Sequence, residues 1–478
     1  MAGGMTVEAP LKEIAITGFR SGRQLDPRLK PIAILEQALA RLWGKRPPAD
    51  RAIDLSWGIC DPDPQRTFDL IVAPHATEEE LRLLAPRARD GVLSLCMTSL
   101  FEDVVARAES IPFSVERTTA SGRTRLLEGR IAPKAIFSRT FPHLMAEAEW
   151  EIAAIARTYS VMGRLPPGVP TEPAEPRAPR PGALARYALD TSCLAARRGL
   201  ERLRGQAQRW SVGIVPSGWE SADLAKATIV ANPPHRYFAD PFLVRREGRD
   251  VCFVEDFDFR SSRASISALE RQADGNWKRI GDALVEPFHL SFPFTFECEG
   301  ELYMVPESHE SGQIRLYICD AFPLGWRHVR NLMEGVSAVD TMIFDNQGRW
   351  FMLTTISPTG SDEHQSRLFL FSSADPRSVD WRPATGNPLL FDSRKARNGG
   401  LLHGGDGSLY RVRQKQGCGR YGSGLSIARI EGIGPDDYRE EMVRELNPDF
   451  LPGLIGCHHL HSNGAFTAFD MLRIESRA

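Results

Sequence analysis

The stretch DPFLVRREGRDVCFVE, residues 240–255, decides the fold, because its frame recurs four more times along the chain. The later copies are FPFTFECEG (292–300), DTMIFDNQG (340–348), GLLHGGDG (400–407) and CHHLHSNG (457–464), each followed by a second apolar run. In every copy, two strand-like runs flank a turn with a glycine, which adopts positive φ without strain. The five copies predict five β-hairpins.

The spacing of these hairpins predicts the blades of a β-propeller. The turn glycines stand at positions 248, 300, 348, 407 and 464, a period of about 50 to 60 residues that is typical of propeller repeats. Two further strand-like runs follow each of the first four hairpins, such as ASISALER (264–271) and WKRIGDALVEP (277–287) after the first. Four strands form one blade.

The fifth blade needs strands from another part of the chain. Too few residues follow the fifth hairpin for two more strands, whereas RWSVGIV (209–215) and KATIVANP (226–233) have the missing third- and fourth-strand patterns. Joining both ends of the domain in one blade removes open sheet edges. Residues 208–478 are therefore predicted to form one all-β five-bladed β-propeller, closed by these two strands.

Residues 1–162 have the alternating texture of an α/β domain. The apolar runs EIAITGF (13–19) and FDLIVAP (68–74) alternate with the amphipathic segments PIAILEQALARLW (31–43) and LMAEAEWEIAAIARTY (144–159), which predicts a small parallel sheet with helices. Residues 163–207 contain a proline-rich segment (163–182), predicted to be an extended linker, and then a helix from about Ala183.

The N-terminal domain resembles the formyltransferase fold. FDLIVAP, DGVLSL (90–95) and IPFSVERTTASGRTRLLEGRI (111–131) follow that family's order of strand, glycine-led strand and hairpin. The family's catalytic Asn, His and Asp fall on Ser94, Cys96 and a position near Gly122. The resemblance therefore implies a degenerate formyltransferase-like domain without formyl-transfer activity.

Composition excludes several classes of function. The chain has 478 residues, 42% of them hydrophobic and 25% charged, with a net charge of -2, so nothing favours nucleic acid as a partner. The sequence shows neither a signal peptide nor a run of about 18 apolar residues. It predicts a cytoplasmic protein without an integral membrane segment.

A second resemblance covers almost the whole predicted propeller. YFADPFLV (237–244), HLSFPFTFECEGELYMVPES (289–308), SAVDTMIF (337–344) and YGSGLSIARI (421–430) together resemble the N-terminal domain family of the glucosamine inositolphosphorylceramide transferases. That resemblance implies a five-bladed propeller akin to those of arabinanases, xylosidases and invertases. It also implies a carbohydrate-active protein, of glycosyltransferase or glycosidase-like chemistry.

Acidic side chains fall where a propeller funnel would place them. The innermost strands of the first three blades start at Asp240, Phe292 and Asp340, and the residues seven past the turn glycines include Glu255 and Glu307. The second strand of an antiparallel hairpin ends beside the start of the first, so these carboxylates are expected to converge. Glycosidic chemistry uses such a set, with one carboxyl protonated and another ionised.

The resemblance to arabinanase-like propellers implies roles for three of these residues. Asp240 takes the place of the general base or nucleophile, Asp340 that of a pKa-tuning aspartate, and Glu307 is the predicted acid. For each, a turn cap or a surface ion pair is the structural alternative. The predicted substrate-binding residues are Glu255, Asp256, His309, Arg397, Asn398, Arg411, Gln414, His458 and His459.

Aromatic residues and histidines near the strand ends give further expectations. Tyr237, Phe238, Phe292 and Trp350 are candidates for stacking on a sugar or for packing in the core. His459 and His461 share one strand face, but no third ligand is evident in the sequence. No metal and no cofactor are predicted.

Three functions remain open from the sequence. The first is an enzyme of surface polysaccharide or glycolipid biosynthesis that acts on a sugar, a sugar nucleotide or a lipid-linked glycan. The second is a non-catalytic sugar-binding or scaffold protein. The third is an intracellular inverting glycoside hydrolase.

Overall fold

The computed structural model describes residues 14–16, 66–173, 182–358 and 363–476. The chain divides into two compact units, Met1–Ser192 and Cys193–Ala478. The helix predicted at 31–43 and residues 174–181 of the predicted linker lie outside the described residues. In the described part, no helix is both long and apolar enough to span a membrane.

The first unit is built on a mixed sheet. Its strands, in sheet order, are β1 (Ile14–Ile16), β2 (Leu70–Val72), β3 (Val92–Cys96), β4 (Ile111–Thr119), β5 (Gly122–Ile131) and β6 (Val169–Thr171). Only β1, β2 and β3 are parallel, and β4, β5 and β6 are antiparallel to their neighbours. The small parallel sheet predicted for the first strands is present, and β4 and β5 form the predicted hairpin at residues 111–131, whose tight turn permits only antiparallel pairing.

Strand β6 lies inside the segment predicted to be an extended linker. Thr171 pairs with Arg123, and Pro170 pairs with Thr124. A proline can occupy such a strand because β6 is at the edge of the sheet, where no neighbour needs the missing N–H. The prediction of linker structure is thus wrong for residues 169–171.

Three helices accompany this sheet in the described part of the first unit: α1 (Glu78–Leu84), α2 (Leu100–Val105) and α3 (Phe137–Met162). Helix α4 (Ala183–Leu203) runs across the division between the two units. Helix α1 begins with a capping box, in which Thr77 and Glu80 each bond to the backbone N–H of the other. Helix α3 buries Ile152, Ala156 and Tyr159 at helical spacing against β2 and β3.

The second unit contains five sheets, of which four follow one another along the chain and the fifth joins strands from both ends of the unit. Blade 1 comprises β9 (Arg236–Arg246), β10 (Arg249–Asp258), β11 (Arg263–Arg271) and β12 (Trp277–Leu284). Blade 2 comprises β13 (Ser291–Cys298), β14 (Glu301–Glu307), β15 (Gln313–Ala321) and β16 (Gly325–Glu334). Blade 3 comprises β17 (Ala338–Asn346), β18 (Arg349–Ile356), β19 (Arg367–Ser373), β20 (Arg382–Pro383) and β21 (Leu390–Phe391).

The last two blades complete the ring. Blade 4 comprises β22 (Asn398–His403), β23 (Leu409–Gly417), β24 (Arg420–Gly434) and β25 (Asp437–Leu446). Blade 5 comprises β26 (Leu460–Ser462), β27 (Thr467–Ser476), β7 (Gln206–Val215) and β8 (Thr228–Ile229). Strand β27 pairs with β7 over ten residues, from Thr467 opposite Val215 to Ser476 opposite Gln206. The five-bladed β-propeller predicted from the repeat is confirmed.

The innermost strands of blades 1 to 3 share one backbone irregularity. The register shifts between Phe253 and Glu255 in blade 1, and corresponding shifts occur in blades 2 and 3. At the shift stands a residue other than glycine with positive φ: Asp240 at 48°, Phe292 at 43° and Asp340 at 50°. Positive φ strains such residues. It also interrupts the regular β-pleat at this residue in each of the three strands.

The hairpin turns separate the same three blades from the other two. In blades 1 to 3 the turn has two residues, and both have positive φ: Glu247 and Gly248, Glu299 and Gly300, Gln347 and Gly348. This is the pattern of a type I′ turn. In blades 4 and 5 the connections are longer, residues 404–408 and 463–466.

The propeller core lies between neighbouring blades. The largest cluster joins blades 2, 3 and 4 through buried residues that include Phe294, Val305, Met342, Leu353 and Leu401. Consecutive residues such as Met342 and Ile343, which point to opposite faces of β17, both belong to it, because this blade packs against a neighbour on each face.

Candidate active site

Four carboxylates predicted to converge are buried together where blades 1 to 3 begin. Asp240, Glu255, Glu307 and Asp340 are 4%, 7%, 7% and 1% exposed. Glu255 lies at the end of β10, opposite Ala239, and Glu307 lies at the end of β14, opposite Ser291. Each therefore stands beside the irregular start of an innermost strand, so the register of the hairpins places the carboxylates together.

Asp240 is tied to two other blades. Its Oδ2 accepts a hydrogen bond from the Phe292 N–H at 3.1 Å, and its Oδ1 lies 3.2 Å from Nε2 of His458. Burial alone would raise the pKa of Asp240, but the positive charge of His458 outweighs burial and lowers it. Asp240 is therefore ionised at neutral pH.

His458 lies between two carboxylates. Its Nδ1 is 2.7 Å from Oδ2 of Asp470, and its Nε2 faces Asp240. Burial lowers the pKa of His458, yet the charges of Asp470 and Asp240 together raise it well above its usual value. The three side chains form a buried row of alternating charge.

Glu307 and Asp340 share one cation. Arg397 donates from Nε to Asp340 Oδ2 at 2.5 Å and from Nη2 to Glu307 Oε2 at 3.4 Å. Burial raises the pKa of Asp340, Arg397 opposes the rise, and the charges of Glu307 and Asp240 add to it, so that the pKa stands well above normal. The pKa of Glu307 is lowered despite its burial, by its hydrogen bond to His309 and by Arg397. This pattern favours a proton on Asp340 and a charge on Glu307.

Of the four carboxyl groups, Glu255 is the one that has no positively charged side chain beside it among the described residues. Its nearest basic partner among the described residues is His289, with Nε2 3.5 Å from Oε1. Burial raises the pKa of Glu255 well above normal, and the charge of Asp240 raises it further. Burial also lowers the pKa of His289, so its imidazole is neutral. Glu255 therefore retains its proton near neutral pH.

Polar residues from blade 4 position Asp340. Gln414 donates from Nε2 to Asp340 Oδ2 at 2.9 Å and to the Asn398 carbonyl at 2.7 Å. Asn398 donates to the Asp340 carbonyl at 2.8 Å and to the Leu353 carbonyl at 3.0 Å. Both residues are fully buried. They hold the strained segment of β17 and are not available to a ligand.

Two histidines flank Glu307 and Arg397. His309 Nδ1 lies 2.9 Å from Glu307 Oε1, and its ring centroid is 5.2 Å from that of His364. The hydrogen bond to Glu307 raises the pKa of His309, whereas burial lowers the pKa of His364 to about 4. His309 is about one-third exposed, so it can contact a ligand.

Aromatic rings line one side of this cluster. Tyr421 lies with its ring 5.0 Å from Arg397 Cζ and 5.0 Å from the His458 ring. Tyr237 stacks on Phe257 at 4.8 Å. Of the predicted stacking residues, Phe238 and Phe292 are fully buried and belong to the core, and Trp350 packs on Phe296 at 5.5 Å.

Three further predicted binding residues, besides Asn398 and Gln414, are not free to meet a ligand. Asp256 is fully buried and pairs with Arg236 and Arg279 at 2.7 and 2.8 Å. Arg411 is fully buried and pairs with Glu440 at 2.7 Å. His459 is fully buried, with Nε2 3.0 Å from the Pro241 carbonyl, and burial lowers its pKa to about 4. Alternate strand residues point to opposite sides, which carries Asp256 away from its neighbour Glu255.

Sequence reasoning missed Asp470, His289, His364 and Tyr421. Asp470 has a readable signal, because it stands within the otherwise apolar run FTAFDML (466–472). A charge buried there must have partners, since an isolated one is too costly. The other three residues have no comparable signal, because histidine and tyrosine are common near strand ends.

Asp240, His458 and Asp470 also bring possible metal-donor atoms within 4.8 Å of one another. Asp470 Oδ1 already accepts hydrogen bonds from the N–H groups of His458 and His459. Both nitrogens of His458 face carboxylates. We therefore interpret the three as an ion-paired row. His461, the other histidine considered for zinc, accepts the Leu243 N–H at its Nδ1.

Comparison with known proteins points to the propeller. Residues 221–448 match the model of a family described as glucosamine inositolphosphorylceramide transferase 1, N-terminal. The propeller resembles a known domain. The transferase of that name from Arabidopsis thaliana is 35% identical over 214 residues, and that from Oryza sativa subsp. japonica is 31% identical over 214 residues.

These matches cover only part of each protein. They span 44% of this chain and 28% of the plant proteins, so the chain covers little more than a quarter of the length of these relatives. The matched segment begins inside blade 5 and includes blades 1 to 4 with Asp240, Glu255, Glu307, Asp340 and Arg397.

Solved structures with some similarity include two glycoside hydrolases. The catalytic domain of a GH62 α-L-arabinofuranosidase from Coprinopsis cinerea is 10% identical, with a TM-score of 0.38 over 56% of this chain and 96% of that one. A family 117 glycoside hydrolase from Zobellia galactanivorans is 11% identical, with a TM-score of 0.35 over 55% and 90%. The assignment of a propeller here rests on the five sheets described above.

Proposed function

We propose that this protein is carbohydrate-active and that the propeller funnel acts on a glycosidic bond or an activated sugar during surface polysaccharide or glycolipid biosynthesis. The observation that carries the proposal is the convergence of four buried carboxylates with opposite pKa shifts around Arg397 and His458. Glycosidic chemistry needs both protonation states in one cleft. The names of the plant relatives, which are glycolipid transferases, support the same class of substrate.

The pKa directions suggest a role for each carboxyl. Asp240 is ionised, and it would take a proton from water or an acceptor hydroxyl, or stabilise an oxocarbenium-like state. Glu255 keeps its proton, and it would donate that proton to the departing oxygen. The sequence pattern gave the acid role to Glu307, but the lowered pKa of Glu307 favours Glu255 instead.

Substrate assays test this proposal. Purified protein would be incubated with sugar nucleotides and lipid-linked glycans, with and without acceptor, and with aryl glycosides. A product that forms only when acceptor is present supports glycosyl transfer. Release of reducing sugar without acceptor supports a glycoside hydrolase, of the inverting or another type. Glu255→Gln and Glu307→Gln then separate the two acid candidates, because an aryl glycoside with a good leaving group needs little protonation and should rescue only the variant that lacks the acid.

The second candidate is a sugar-binding protein without turnover. One observation favours it: Asp340 is held by Arg397 and Gln414, so part of the acidic cluster is occupied by the protein itself. This function predicts that Asp240→Asn retains glycan affinity in calorimetry and that the wild type turns over no substrate in the panel above.

Two earlier predictions remain predictions. The first is that residues 1–162 form a degenerate formyltransferase-like domain with a structural or regulatory role. The second is a cytoplasmic location. Incubation with formyl donors and fractionation of cells test them directly.

A further inference from the structure

Asp470 controls both the charge partner and the backbone of Asp240. It reaches His458 Nδ1 through Oδ2 at 2.7 Å, and His458 Nε2 in turn reaches Asp240 Oδ1 at 3.2 Å. The same carboxylate accepts the N–H groups of His458 at 2.9 Å, His459 at 3.0 Å and Asp240 at 3.3 Å. One side chain of β27 therefore contacts both the imidazole that faces Asp240 and the backbone N–H of Asp240.

The backbone at Asp240 needs this support. Asp240 has a φ of 48°, a conformation that costs about 1 to 3 kcal/mol in a residue other than glycine and persists only where its surroundings impose it. Oδ2 of Asp470 receives the Asp240 N–H, and Phe292 donates to the Asp240 carboxylate from the next blade. These two contacts fix the direction of the side chain.

The imidazole of His458 has no freedom to leave its place. The Trp210 ring lies 4.0 Å from it. Gly422 is adjacent to both residues and has a φ of 61°, and a Cβ there would come within 2.8 Å of His458 Cβ and 3.0 Å of the Trp210 ring. A side chain at position 422 would therefore displace the histidine.

The groups that face His458 leave it one stable protonation state. Asp240 on β9 and Asp470 on β27 are the charged neighbours, Tyr421 on β24 is an uncharged ring, and His459 beside it is neutral. Of the groups further away, Glu255 interacts with both Asp240 and His458, and Glu307 interacts with Asp240. Arg397 interacts with Asp340 and Glu307. Two carboxylates against one imidazolium leave the row with a net negative charge.

We propose that Asp470 and His458 form a positioning pair that keeps Asp240 ionised and directed into the funnel. His458 carries the positive charge, and Asp470 keeps that charge in place and fixes the backbone on both sides of it. Neither residue is proposed to touch substrate. The kinetic part of this inference rests on the proposed function, whereas its structural part does not.

The first experiment measures the wild-type protein and needs a variant only to assign one resonance. The wild-type protein is labelled with ¹⁵N-histidine, and the His458 resonance, assigned by its loss in His458→Gln, is followed by NMR from pH 5 to pH 9. We expect the chemical shifts of an imidazolium with both nitrogens protonated at pH 7.5. A neutral His458 at that pH would overturn the proposal, and this result stands whether or not any substrate is turned over.

The second experiment follows the pH dependence of turnover. In Asp470→Asn the charge on His458 is lost at neutral pH, so the pKa of Asp240 rises. Activity that requires ionised Asp240 falls as the pH drops through that pKa. The low-pH limb of the pH–rate profile should therefore move to higher pH by about one unit, which is a common effect of one neighbouring charge. An unmoved limb in a folded variant would overturn the proposal.

Asp256→Asn is the matched control. Asp256 is equally buried and bonded to two arginines in blade 1, but it lies outside the funnel. It should lose a similar amount of stability and keep the wild-type pH profile. If Asp470→Asn does not fold, the wild-type NMR titration decides alone. If the wild type has no activity but His458 is an imidazolium, the proposed function fails and the positioning pair stands.

Discussion

Blades 1 to 3 and blades 4 and 5 are built on the same antiparallel strand pattern, but they contribute different residues to the site: the first group supplies acids and the second supplies their partners. The acidic half, blades 1 to 3, supplies Asp240, Glu255, Glu307 and Asp340, with two-residue turns and strained inner strands. The supporting half, blades 4 and 5 with residue 397 before them, supplies Arg397, Gln414, His458 and Asp470, with longer turns. The repeated blades form the ring, and the positive charges that balance the acids of blades 1 to 3 come from the supporting half.

The difference shows why a symmetric scaffold can hold an asymmetric charge pattern. A carboxylate at the start of an inner strand is costly to bury. Three of the four acids of the first half therefore depend on a partner that the closing of the ring brings to them: Arg397 for Glu307 and Asp340, His458 for Asp240. The two halves are electrostatically incomplete alone.

The largest expected effect tests the acidic half directly. Asp240→Asn removes the ionised carboxylate and should reduce turnover by about 10²- to 10⁴-fold, the usual contribution of a general acid or base. Initial rates on the best substrate of the panel measure it. Asp256→Asn, in the same blade but outside the funnel, should keep most of the activity, and equal losses in both variants would remove the distinction between funnel and framework.

The next effect tests the link between the halves. Arg397→Ala leaves Glu307 without its buried cation and should lower the free energy of unfolding by about 3 to 5 kcal/mol, as breaking a buried ion pair does. Urea titration measures the loss. Arg327→Ala breaks an exposed pair with Asp320 and should cost less than about 1 kcal/mol. A similarly small loss at Arg397 would mean that the halves do not depend on each other.

A smaller effect tests the turns of the acidic half. Gly300 has a φ of 80°, and a Cβ there would meet no atom within 4 Å, so Gly300→Ala should cost only the backbone strain, about 1 to 2 kcal/mol. Thermal unfolding followed by calorimetry measures this loss of stability, because it gives both the shift in Tm and the unfolding enthalpy. Gly386 has equal space but no positive φ, so Gly386→Ala should cost nothing measurable. Equal behaviour of the two variants would contradict the assigned turn geometry.

The smallest effect is a pH dependence at the border of the cluster. The pair of His309 and Glu307 raises the pKa of the histidine and lowers that of the acid. Its stabilisation is complete below the unfolded pKa of histidine, about 6.5, and above that of glutamate, about 4.3. It is lost as the pH rises through the folded pKa of His309. His309→Gln should therefore lower the free energy of unfolding more at pH 5.5 than at pH 9, and the difference should be less than about 1 kcal/mol. Urea titrations at both pH values measure it. A larger loss at pH 9 than at pH 5.5 would contradict the pair.

Local patterns made the propeller predictable. The turn glycines and the alternating runs around residues 248, 300 and 348 report backbone conformations that depend on adjacent residues alone. The same register placed Glu255 and Glu307 beside Asp240 and Asp340, which the structure bears out as a convergence in space.

Long-range partners were not predictable in the same way. Asp470 meets Asp240 across 230 residues of sequence, and Arg397 meets Glu307 across 90. A count of seven residues from Gly464 reaches Met471, one position past Asp470. Nor does residue type distinguish Asp256, which binds two framework arginines, from its neighbour Glu255 in the funnel. These outcomes depend on which blades become neighbours.

The pairing of β7 with β27 has a consequence for how the protein is made. Strand β7 leaves the ribosome with the other four blades still untranslated, and its partner, residues 467–476, is synthesised after all four of them. Until then the edge of β7 stays unpaired, and an open edge recruits other strands. Ring closure therefore follows the synthesis of blades 1 to 4, and a chaperone that shields β7 during elongation should raise the yield of the closed propeller.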